Sequence, residues 1–315
     1  RGGNLSSRDS EGNSLLHIAS KHNLNSDVIE LFMILGFDIN ERNNHGSTPL
    51  DLAADYNSHY SIIKTLLNAG ADPTSVDDDF STPLHKAAYN TQDSDIFNLL
   101  IQSGADIHAQ DQKGNSPLHS AAMGNPDQTI IEILVERGAS VNARNSNAET
   151  PLHLAANSNK SIKVIQALID QGADVMASTN DDITPLHYAS QSSCGLSFAK
   201  LLISKGASVT ARTKFMTTPL HWASRKSKNG KVIDLLINNG ADVNARDKSG
   251  NTPLHLAASF NSHSAILKAL LKAGAQINNT NNSGETSLHL AAQDASHSIV
   301  ISTLIEAGAD VHQLN

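Results

Sequence analysis

Cysteine, aromatic side chains and long apolar runs are all scarce in this sequence, and each scarcity excludes a class of protein. A single cysteine, Cys194, means that one copy of the chain can form neither a disulfide framework nor a cysteine-based zinc site. A reducing compartment is the default reading. No apolar run approaches the roughly 18 residues needed to cross a bilayer, and residues 1–10 lack the apolar core of a signal peptide. The expected location is therefore cytoplasmic or otherwise intracellular. Aromatic content of 4% beside 39% hydrophobic residues fits many thin layers packed by Leu and Ala better than one thick core. The net charge is −8, yet no acidic residue lies between Asp182 and Asp234.

A length of 315 residues would ordinarily suggest two domains, but a periodic chain can be one elongated domain of any length. The motif Thr-Pro-Leu-His, or a close variant, begins at positions 14, 48, 82, 116, 150, 184, 218, 252 and 286, a spacing of 34 residues kept without a slip. Nine units over a single domain, 1–315, are expected.

Each unit punctuates itself. The Ser or Thr can cap the helix that follows, and Pro at the first helical position gives up an N–H that had no partner there. That helix carries Leu and a small pair, as in Leu152 with Ala155 and Ala156, so neighbouring helices can approach closely. A second apolar pattern follows at helical spacing, as in Ile165, Leu168 and Ile169, and ends at a glycine in every unit. Five further glycines, Gly12, Gly46, Gly114, Gly250 and Gly284, sit two residues before a capping Ser or Thr, in the turn between units. Together these are 14 of the 19 glycines, so most glycine is expected in left-handed turn positions.

The run Asp-x-x-Gly-x-Thr-Pro-Leu-His-x-Ala-Ala at Asp247 to Ala258, preceded by Gly-Ala-Asp-Val-Asn-Ala from Gly240 to Ala245, resembles the ankyrin repeat across essentially the whole chain. The resemblance implies an all-α solenoid of antiparallel helix pairs with projecting β-hairpin-like loops, and protein binding through hairpin tips and the concave side of the first helices. The usual period is 33, and the extra residue here falls in the loop between the two helices. There Asn23, Asn57, Asn159 and Asn261 stand where a positive φ is expected. Apolar Ile34 and Leu35 in the first unit, and the start at Arg1 rather than Met, suggest a segment of a longer protein.

Signs of chemistry are thin. Eight of the 15 histidines are the fourth residue of the motif, so a ladder bonded to local and neighbouring backbone is expected, with Asp51 replacing one rung. No metalloprotease helix, phosphate loop, dinucleotide fingerprint or nucleophile elbow is present. No catalytic residue, metal or cofactor is expected. Cys194 reads as a small loop residue. The glycosylation sequons at Asn4, Asn159, Asn278 and Asn281 read as accidents of an asparagine-rich chain.

The seventh unit matches the others least. Its turn reads Thr213, Lys214, Phe215, Met216, Thr217; Trp222, the only Trp, follows the motif histidine; Arg225 and Lys226 close the helix. Tyr188 holds the position of Trp222 one unit earlier. Trp, Tyr and Arg dominate binding hot spots. Eight cations, from Lys200 to Lys231, fill the acid-free stretch, whereas Asp51 to Asp111 holds ten aspartates, with Asp77, Asp78 and Asp79 on the third hairpin. The expected site is Tyr188, Lys214, Phe215, Met216, Trp222, Arg225 and Lys226, with Asp77 to Asp79 as a secondary acidic patch. The expected function is a scaffold or adaptor whose partner is another protein, acidic where it meets repeats six to eight or basic where it meets repeats two to four, with further repeats or domains of the same parent chain as another candidate partner. Nucleic acid is disfavoured by the negative net charge. A rival expectation is the non-catalytic array of a larger enzyme, channel, or secreted toxin or effector, and a third is a structural spacer.

Overall fold

The computed structural model describes residues 7–192, 194–293 and 298–313, and the sequon at Asn4 lies outside them. Among the described residues there are eighteen α-helices and no strand; a lone antiparallel bridge joins Thr280 and Thr286. The hairpin-like projections are thus turns rather than sheet.

Contacts divide the chain into two compact units, Arg1–Ala155 with Lys163–Ala173, and Ala156–Ile162 with Asp174–Asn315. In unit 1, helices α1 (Leu15–His22), α3 (Pro49–Leu52, continued by a π-turn over Ala53–Asn57), α5 (Pro83–Asn90) and α7 (Pro117–Gly124) form one row. Their partners α2 (Asp27–Ile34), α4 (Tyr60–Asn68), α6 (Ser94–Gln102) and α8 (Gln128–Glu136) form a second. Helices α9 (Pro151–Ser158) and α10 (Ile162–Asp170) follow. In unit 2 the first row is α11 (Pro185–Gln191), α13 (Pro219–Lys226), α15 (Pro253–Phe260) and α17 (Ser287–Ala292). The second is α12 (Gly195–Ser204), α14 (Gly230–Asn238), α16 (Ser264–Lys272) and α18 (Ser298–Glu306).

The helices start where the motif dictates. Thr82 stands in extended backbone before Pro83, and its hydroxyl accepts from the His85 N–H while the His85 ring closes a capping box. In the inner repeats the motif leucine and the small residue three places on, such as Leu84 with Ala87 or Leu220 with Ala223, are completely buried. Burying each leucine stabilises the stack by about 2 kcal/mol.

All fourteen punctuating glycines have positive φ, from 72° at Gly46 to 104° at Gly138. Gly12, Gly46, Gly114, Gly250 and Gly284 share their turn position with Phe80, Ala148, Asp182 and Met216, which hold φ of 59–60° without being glycine. Such a conformation costs an ordinary residue about 1 kcal/mol or more.

The inter-helix loop corrects an expectation. Asn23 and Asn261 have φ of −83° and −123°, and neither Asn57 nor Asn159 is among the positive-φ residues; in the second repeat the left-handed residue is Ser58. Asparagine is there for its amide. Asn57 Nδ2 donates to Ser20 O and Asn23 O, Asn125 to Ala88 O and Thr91 O, and Asn261 to Ser224 O and Ser227 O, at 2.6–3.1 Å. The longer loop is tied to the carbonyls ending the first helix of the preceding repeat, which would otherwise lack donors.

Candidate functional site

The motif histidines are structural. The Thr82 N–H donates to His85 Nδ1, so Nδ1 is unprotonated and Nε2 carries the hydrogen, which it gives to Asn115 O at 2.9 Å, thirty residues on. The same reach joins His17 to Ser47 O, His119 to Glu149 O, His187 to Thr217 O, His221 to Asn251 O and His255 to Glu285 O. Burial pushes the pKa values of His17, His85, His119, His221 and His255 down and keeps the rings neutral. Each ring both caps its own helix and ties it to the next turn.

Asp51 breaks the ladder. Its Oδ2 accepts from the Thr48 N–H and hydroxyl at 2.8 Å, but the buried Oδ1 has no partner. Burial, reinforced by the charge of Asp77 and opposed by the Thr48 bonds, pushes its pKa up to about 7.

The turns between repeats obey one rule, and that rule relocates the acidic patch. The first residue of each turn accepts two backbone N–H bonds. Asp77 Oδ1 takes those of Asp79 and Ser81. Its Oδ2 pairs with Lys86 Nζ at 2.7 Å, and the side chain is 6% exposed. Asp77 is therefore an internal turn and ion-pair residue, and only Asp78 and Asp79 are exposed at the tip. Arg42 approaches Asp78 at 3.9 Å. The signal was in the sequence: Asp, Asn or Thr recurs at this place in every repeat.

In the seventh repeat Thr213 fills that role with a hydroxyl, accepting from the Phe215 and Thr217 N–H groups at 3.2 and 3.3 Å, and Thr179 does the same one repeat earlier. The turn survives without a carboxylate. With Thr rather than Asp at position 213, this turn adds no acid to the stretch between Asp182 and Asp234.

The expected site residues fall into two groups. Tyr188, Trp222, Arg225 and Lys226 line one opening of about 340 Å³ in unit 2, with Gln191 from α11 and Leu256 from α15. Lys214, Phe215 and Met216 do not line it; they are exposed at the turn, where Phe215 O accepts from the Lys248 N–H of the next turn. Thr217 connects the groups, since its hydroxyl accepts the indole N–H of Trp222 at 3.1 Å and lies 2.7 Å from the Thr213 hydroxyl.

Trp222 is half-buried and held on three sides. Its ring meets Tyr188 and His187 edge-on, both at 5.5 Å between centroids. Edge-to-face packing of this kind fixes ring orientation. Arg225 lies over the Phe260 ring at 4.4 Å, as Lys21 lies over Tyr56 at 4.1 Å in unit 1. Among the described residues neither Arg225 nor Lys226 is paired with an acid. Lys200 and Lys231 are exposed on the second-row helices α12 and α14, and Arg212 is bonded to Met216 O and Arg246 O. The eight-cation island therefore contributes two charges, Arg225 and Lys226, to this opening.

The family models agree with the repeat geometry. A model described as ankyrin repeats (3 copies) matches residues 1–77, 84–179, 127–213, 162–247 and 220–315, and one described as ankyrin repeats (many copies) matches 56–101. The chain belongs to the ankyrin-repeat family. No curated protein matches it. Ankyrin repeats generally mediate protein–protein interaction and are typically non-catalytic. Among the described residues no group of three His, Cys, Asp or Glu could hold a metal, and no helix is long and apolar enough to cross a membrane. Cys194 is half-exposed with its thiol 3.9 Å from Lys160 O.

Proposed function

We propose that this ankyrin-repeat chain is a scaffold or adaptor that binds a partner protein, without catalysis, through the first-row helices of unit 2. The observation that supports this is the opening beside Trp222. A rigid aromatic pair borders it, Arg225 and Lys226 rim it, and among the described residues no acid is paired with either. Interfaces concentrate their energy in such preformed aromatic and Arg positions. The exposed turn residues Lys214, Phe215 and Met216 extend the contact surface. Met216 keeps a left-handed backbone where five of the eight other repeats use glycine, and retained strain of this kind commonly marks a working surface.

Affinity capture from lysate with the intact chain, Trp222→Ala and Asp78→Asn/Asp79→Asn tests the placement. The Trp222 variant should lose most of the captured partner while its helical circular dichroism is unchanged. Capture that survives Trp222→Ala and disappears with the Asp78/Asp79 pair would move the site to unit 1.

A further inference from the structure

The chemistry of the opening selects among partners. Resting on the reading just given, we infer that it receives an acidic peptide segment in which a carboxylate side chain neighbours an apolar one. Arg225 lies over the Phe260 ring with its Cζ 4.4 Å from the centroid, and among the described residues it has no acid partner. A guanidinium is the side chain best suited to grip a carboxylate through two parallel N–H bonds. Lys226, adjacent on the last turn of α13, adds a second cation with no acid partner among the described residues. The apolar requirement comes from the other wall. The indole N–H is already bonded to Thr217, so Trp222 offers carbon surface, and Leu256 adds more. Asn157 and Gln191 supply amides that match a peptide backbone.

An opening of about 340 Å³ holds one or two side chains, not a folded surface. Charge complementarity points the same way, because residues 183–233 contain no acid to repel the segment. A polyanion such as nucleic acid fits less well. It would need a broad cationic track, whereas two cations rim this site and the chain carries −8.

Trp222 is the only Trp in the protein, so its emission reports occupancy of this opening directly. The intact chain is titrated with a blocked pentapeptide of glutamates around a central leucine. Controls are the same peptide with glutamines, the same peptide with glycine for leucine, and a short single-stranded oligonucleotide. The glutamate–leucine peptide should shift the emission saturably. Arg225→Gln should weaken it roughly tenfold, the size of one charge-assisted hydrogen bond. Both the glutamine and the glycine peptides should bind more weakly. Equal binding of the glutamine peptide overturns the acidic class, and equal binding of the glycine peptide overturns the apolar one. Stronger binding of the oligonucleotide overturns a peptide occupant. In all three cases the proposed site stands if lysate capture still depends on Trp222. Capture independent of Trp222 overturns the site itself.

Discussion

Positions 86 and 222 are the same place in the repeat, the residue after the motif histidine, and they are filled in opposite ways. Lys86 is tied to the buried Asp77, with Asp51 and Asp55 also near enough to hold its charge. Burial pulls its ammonium pKa down, but the hydrogen bond and charges of these acids outweigh that and leave it raised. Trp222 instead faces an opening whose cations have no acid partner among the described residues. One scaffold position has been closed by an ion pair and the other left open behind an aromatic wall. Formal charge is therefore a poor guide to accessible charge. The aspartate-rich stretch of unit 1 is partly consumed by turns and by Lys86, while two cations in unit 2 remain available.

The sharpest way to break the closed side is Lys86→Met. It leaves Asp77 buried without its partner, and the expected loss is about 3 kcal/mol in urea unfolding at neutral pH. A loss well below 1 kcal/mol would mean that the pair is solvated rather than internal.

Asp51 gives the next effect, and its sign is fixed by linkage. The carboxyl titrates near 3.8 when unfolded and near 7 when folded, so folding binds a proton between those values. Its contribution is fully present below about pH 4, falls as pH rises towards 7, and is absent above. Asp51→Asn removes the titration. The variant should gain on the parent by on the order of 3–4 kcal/mol between pH 4 and pH 8. A difference that is flat with pH would contradict the raised value. The motif histidines act with opposite sign: their pKa values are depressed, so their contribution is present above about 6.5 and lost as pH falls through the folded values. The parent should therefore melt earlier in acid, and that loss should be shared by Asp51→Asn.

Smaller still is Met216→Gly. Relief of the left-handed conformation should stabilise the fold by about 1 kcal/mol, read as a higher midpoint of thermal unfolding. The reverse change, Gly250→Ala, should cost more than that gain, because a Cβ there meets the Asn282 side-chain oxygen and lies 2.9 Å from its backbone N.

The scaffold was legible because its rules are local. Capping Thr-Pro, terminal glycine and the leucine with its small neighbours each follow from a backbone requirement, and all fourteen glycines took the conformation their spacing implied. Apart from the histidine ladder, what could not be read was which partner each polar side chain bonds. Asn57 and Asn261 were expected to serve a backbone angle, yet they serve carbonyls of the preceding repeat. Asp77 looked like a tip residue until the turn pattern showed it as an acceptor and Lys86 as its partner. At the candidate site, the type and side of Tyr188, Trp222 and Arg225 were apparent from register. The separation of Phe215 and Met216 from the opening, and the occupied indole N–H, depend on side-chain direction that a periodic pattern does not encode.

The central claim is that the opening beside Trp222 is free in the unbound chain and covered by the partner. The most direct measurement is iodide quenching of the single Trp in the intact protein, alone and with the purified captured partner. The account predicts accessible emission that becomes protected and shifts to shorter wavelength on binding, while Lys86→Met leaves the protection intact. Unchanged quenching in a saturated complex would place the partner elsewhere and contradict it.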